Sequence, residues 1–144
     1  MSADQNKEVV CRQFEYLNEG NAQGAASLWA NEARNHGRKV DPAGIARVYE
    51  SLLALHERHT LHELVAEGDW VAVRTTCTGV HAAEPKIPVN SGIFSGLAPT
   101  GKSYEVQHLH LFKVVEGRIT EHWANRDDLG AAKQIGLTLK PTLE

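Results

Sequence analysis

The 144-residue chain carries 15 Lys and Arg against 18 Asp and Glu, a formal charge of -3, and 42% of its residues are apolar. A chain of this length forms one domain, residues 1–144, that buries most of its apolar surface without needing a disulfide or metal. The composition argues against disorder, and the scattered basic residues leave no electrostatic footprint for nucleic acid or an acidic membrane. Cys11 and Cys77 stand too far apart, with no repeat in their spacing, to describe a disulfide framework or a zinc site. The polar start MSADQNKEVV and the lack of an apolar run approaching ~20 residues point to a cytoplasmic protein.

Val9, Val10, Phe14 and Leu17 repeat at helical spacing and predict a first helix that stops at Gly20. A short second helix is expected over 22–29. A third is expected over 41–55, with Asp41 as its N-cap and Pro42 at the first helical position. From Thr60 the pattern turns to strands: Leu61, Glu63 and Val65 alternate with their neighbours, Glu67-Gly68-Asp69 makes a turn, and 70–80 is rich in β-branched residues. Residues 82–102, with three prolines and three glycines, read as a long loop with a short strand near Ile93. Two further strands over 104–115 and 119–127 flank a Glu116-Gly117 turn, and a short helix follows over 129–135. Helices first and hairpin-linked strands afterwards predict an α+β fold with a curved antiparallel sheet against the helices.

The last hairpin concentrates the polar chemistry. With a two-residue turn, Val115 pairs with Arg118, and counting outward sets His110 opposite Trp123, His108 opposite Asn125 and Val106 opposite Asp127, all on one face. Leu109, Leu111 and His122 then take the other face. A three-residue loop would instead bring Asp127 beside Gln107 and spoil the cluster. Asp127 has two readings here: a carboxylate on an apolar pocket floor, tuned upward for proton transfer, or the N-cap of the following helix. His108-Leu109-His110 with Asp127 also reads as a two-histidine, one-carboxylate metal set. The trio His56, His59 and His62 straddles a helix end and a strand start, where dipole contact or solvation accounts for it.

The runs Thr78-Gly79-Val80-His81, Ala98-Pro99-Thr100-Gly101-Lys102 and His110 through Gly117 to Trp123, followed by Asp127 before Leu129-Gly130, resemble the SnoaL-like polyketide cyclase family. The likeness extends upstream through Leu28-Trp29-Ala30 and Asn35-His36. It implies the cone-shaped α+β fold of the nuclear transport factor two superfamily, in which a curved sheet and helices enclose a pocket. In the anthracycline cyclases of the family, an aspartate matching Asp127 is the general acid/base of an intramolecular aldol ring closure that needs no metal or cofactor. The resemblance therefore implies Asp127 as catalytic, with His110 hydrogen-bonding the carboxylate or a substrate oxygen. It places His81, Asn35 and His36 around a small, largely apolar carbonyl substrate, to which the hairpin count adds His108 and Trp123 as pocket-lining groups, and it implies a homodimer. Leu17 replaces a tyrosine of those cyclases and residues 82–95 are longer than their counterpart, so the substrate is open. An allylic isomerase and a non-catalytic binding or dimerisation domain are the alternatives.

Overall fold

The computed structural model describes residues 2–142. The first helix, α1 (Ala3–Asn18), starts from a reciprocal capping box between Ser2 and Gln5 and buries Val10, Gln13, Phe14 and Leu17 along one stripe. The second, α2 (Ala22–Ala26), is shorter than expected, because Trp29 already belongs to a strand. That strand, β1 (Trp29–Asn35), turns at His36-Gly37, both at positive φ, into the short β2 (Arg38–Val40). α3 (Pro42–Ala54) begins as predicted, with the Gly44 N–H donating to the Asp41 carboxylate at 2.8 Å and Pro42 in the first turn.

The strands β3 (Arg58–Glu67), β4 (Trp70–Val80), β5 (Ser103–Val115) and β6 (Arg118–Arg126) form an antiparallel meander. The full six-stranded sheet runs β2-β1-β6-β5-β4-β3 and stays open at its edges. Its one parallel pairing joins β1 to β6, so the expected antiparallel sheet carries a mixed edge. The stretch 82–102 is a loop with a single 3₁₀ turn, Asn90–Gly92, and Ile93 lies outside any strand. A last helix, α4 (Asp128–Gln134), closes one end against Leu55, Tyr104 and Val106.

Val71, Val73, Phe112, Val114 and Ile119 face α1 and α3 and make the core with Phe14, Trp29 and Ile45. The alternation of β5 is inverted in chemistry: His108 and His110 point inward with Phe112, while Leu109 and Leu111 face out. Imidazoles thus occupy positions where burial ordinarily selects aliphatic groups. Among the described residues no helix is long and apolar enough to cross a membrane.

Candidate active site

The expected turn at Glu116-Gly117 forms, and Val115 pairs with Arg118. The rest of the predicted register is corrected by a bulge: Val114 pairs with Ile119 but Lys113 pairs with Glu121, so β6 spends an extra residue at Thr120. Every residue beyond it changes face. His122 comes opposite Phe112 and points inward, Ala124 comes opposite His110, and Arg126 comes opposite His108. Trp123, expected on the pocket wall, is 43% exposed, pairs with Leu111 on the outer face and lies edge-on to the His36 ring.

Asp127 does not reach the pocket floor. Its N–H donates to the Gln107 carbonyl at 3.2 Å, and its exposed carboxylate accepts from the Gly130 N–H at 2.8 Å as the N-cap of α4. A Cβ on Gly130 would lie 2.2 Å from that carboxylate, so a larger residue there would make the Asp127 side chain shift. His81 is also displaced from its expected role. It is buried away from the cavity, where its Nδ1 accepts from the Thr100 N–H at 3.2 Å and its ring stacks on Phe94. It ties Phe94, Thr100, Gly101 and Lys102 of the 82–102 loop to the end of β4.

Between α1, α3 and the inner sheet face lies a cavity of about 310 Å³. Phe14, Leu17, Ile45, Val48 and Leu52 give it an apolar side; Asn35, His36, His108, His110 and His122 give it a polar one. Four of the expected site residues, Asn35, His36, His108 and His110, are therefore brought together. The missed ones are Glu57, His59, His122, Arg126 and Gln13.

The imidazoles form a chain. His122 Nδ1 is 2.8 Å from Asn35 Oδ1, His110 Nδ1 is 2.9 Å from His122 Nε2, and His108 Nδ1 is 3.3 Å from His110 Nε2. Because an amide oxygen only accepts, His122 must donate through Nδ1 and present a bare Nε2. That nitrogen accepts from His110 Nδ1–H, and His110 Nε2 accepts in turn from His108 Nδ1–H. The series ends on an unprotonated Nε2 of His108, a residue that lines the cavity. Asn35, whose amide orientation sets the direction, fixes every tautomer behind it.

Burial keeps these rings neutral. Desolvation first, and Arg126 next, hold His108 down to about 4. His122 is held at about 3 by desolvation and then His36, and His110 well below the usual imidazole range by desolvation and then His122. His59, buried on β3, is also lowered to about 3, by desolvation and then His108; its Nδ1 sits 3.2 Å from Thr75 Oγ1, and Asn18 clamps its backbone. His56 and His62, grouped with it by spacing, are both exposed.

Glu57 lies 3% exposed at the end of α3 and accepts from Tyr104 O–H at 2.6 Å and Asn90 Nδ2–H at 2.7 Å. Desolvation raises its pKa against the pull of both donors. Tyr104 reaches it by lying over Gly79, where a Cβ would meet the ring at 2.3 Å. Gly79→Ala is expected to push Tyr104 off Glu57 and cost about 2–4 kcal/mol, from overpacking and a lost buried hydrogen bond. Denaturant unfolding checks this, and a cost within experimental error would show that Tyr104 has room to move. Gln13 Nε2, on the α1 wall, is buried with no protein partner. Arg126 pairs with Asp128 Oδ1 at 3.4 Å and lines the cavity next to His108.

Known proteins share this arrangement of elements. A sequence model of the SnoaL-like polyketide cyclase family matches residues 8–135. The aklanonic acid methyl ester cyclases DauD of Streptomyces sp. (strain C5) and DnrD of Streptomyces peucetius are each 27% identical over 138 residues, covering 90% of this chain and 80% and 89% of their own lengths. The crystal structure of wild-type IdmH from Streptomyces antibioticus superposes with a TM-score of 0.73 at 26% identity, over 92% of this chain and 99% of that one. With the helices and the open sheet in place around the cavity, the match over residues 8–135 settles the assignment: the chain belongs to the SnoaL-like polyketide cyclase family.

Proposed function

We propose that this chain is a cofactor-free cyclase that closes a ring in a small, largely apolar, polyketide-like carbonyl compound by an intramolecular aldol step, with His108 as general base. The observation that carries the reading is the one-way chain from Asn35 through His122 and His110 to His108. His108 Nε2 takes the proton from a carbon between two carbonyl groups. The resulting enolate carbon attacks a third carbonyl of the same molecule, and the new alkoxide recovers the proton from His108, so the ring closes without net proton or electron transfer. The apolar walls and the names of the cyclase relatives support the substrate class.

The role expected at Asp127 moves to His108, because the Asp127 carboxylate is exposed and engaged with Gly130. A base held near 4 is weak, and each pKa step separating it from the carbon acid costs about 1.4 kcal/mol. The enolate oxygen therefore needs a cation. Arg126, a permanent charge one strand away from His108, supplies it. The unpaired amide of Gln13 is a further donor for a substrate oxygen.

Turnover in His108→Gln against Asp127→Asn is the test: the first loses it and the second keeps it. The opposite pattern would return the base to Asp127. Arg126→Gln is expected to lower turnover at neutral pH about 100-fold, since the enolate oxygen loses its cation. Unchanged turnover would remove Arg126 from the mechanism.

A further inference from the structure

We propose that His59, His108 and His110 form a binding site for a borderline divalent transition cation such as Zn²⁺, with the fourth coordination position open to the cavity. One ring nitrogen from each of the three buried residues lies within 4.8 Å of the other two. His108 Nδ1 and His110 Nε2 are already 3.3 Å apart. That separation matches the ligand-to-ligand edge of roughly 3.3 Å that tetrahedral Zn–N bonds require. His59 comes from β3, across β4 from the other two, so the three rings enclose one point rather than lying in a row.

The supporting groups are those of a metal site. His110 holds its outer nitrogen on His122, which is fixed by Asn35, and His59 holds its Nδ1 on Thr75 Oγ1, so two of the three rings are oriented from behind. Three nitrogens, no carboxylate and no thiolate suit zinc, copper or nickel better than magnesium or calcium. The carboxylate expected to complete a two-histidine set, Asp127, is replaced by the imidazole of His59. A second buried group, Glu57, His59 and Cys77, is a poorer candidate because Glu57 already accepts from Tyr104 and Asn90. On the open side, Arg126 favours an anionic oxygen as the fourth ligand.

Coordination takes the lone pair of His108 Nδ1 and moves that proton to Nε2, with no net gain or loss. A bound cation would therefore silence the base, a consequence that rests on the proposed function; the binding site itself does not.

The experiment titrates purified protein with Zn²⁺ by calorimetry and with Co²⁺ by visible absorption, in the parent chain and in His59→Asn and Thr75→Val. The expected result is one-to-one binding, a tetrahedral Co²⁺ spectrum, loss of both in His59→Asn, and affinity reduced about tenfold in Thr75→Val, which keeps all three ligands and the buried volume. Substoichiometric binding, or affinity unaltered by His59→Asn because exposed histidines such as His62 hold the metal, would overturn the proposal.

Discussion

His108→Gln is expected to lower kcat by about 10²–10⁴-fold while KM changes little, the range in which removal of a positioned base falls. Glutamine is the informative replacement, since it preserves much of the volume and retains a donor toward His110 while having no basic nitrogen. His110→Gln removes only the group that orients His108, so a smaller loss is expected, and the double variant should lose scarcely more than His108→Gln alone because the residues act as a unit. Asp127→Asn is the control with a sharp opposite expectation. Asparagine caps a helix as well as aspartate does, so both turnover and stability should hold. A large loss in Asp127→Asn, with His108→Gln active, would mean that the substrate draws Asp127 off Gly130 and into the cavity.

That control matters because the family resemblance and the geometry point to different residues, and the reason lies in one extra residue. The turn at Glu116-Gly117, the two strands and the helix after Asp127 were all legible, since turn glycines and β-branched runs mark them. The bulge at Thr120 was not: nothing in Arg118-Ile119-Thr120-Glu121 distinguishes a regular strand from one that spends a residue, yet the slip exchanges Trp123 for His122 and Asp127 for Arg126 across the sheet. Asp127 comes beside Gln107, as expected for a three-residue turn, although the turn keeps two residues and the strand supplies the slip. The missed strands β1 and β2 have a similar cause. Trp29 and Ala33 are the only buried residues of β1, too sparse to show a period, although His36-Gly37 between them and β2 is a two-residue hairpin turn. Glu57 and His59 did leave a signal. They continue the inward parity of Leu55, but charged and ionisable residues beside a helix end read as solvated until the fold closes over them.

Acidification from pH 7 toward 4 is expected to unfold the chain, with a midpoint about pH 4–6. In the unfolded state an imidazole titrates near 6.5, whereas His59 and His122 are held at about 3, His108 at about 4 and His110 well below its ordinary value. As pH falls through 6.5 the unfolded chain gains protons that the folded chain refuses, so stability declines with falling pH across that window. At pH 4 the cost for His59 or His122 alone is on the order of 3 kcal/mol. Against a typical total of about 5–15 kcal/mol, two or three such groups suffice. Glu57, raised in the folded state, works in the opposite direction, but it is one group against four. His59→Phe removes one of the four while keeping an aromatic ring against Phe14, so its acid midpoint should lie lower than that of the parent chain. Far-ultraviolet circular dichroism against pH decides it: a transition confined below about pH 3, where only carboxylates remain to titrate, or one that His59→Phe leaves in place, would show that water reaches the rings. The same exclusion of water that makes the cluster a liability in acid keeps His108 unprotonated at neutral pH, so loosening the cavity wall to gain acid tolerance should raise the acid limb of catalysis as well.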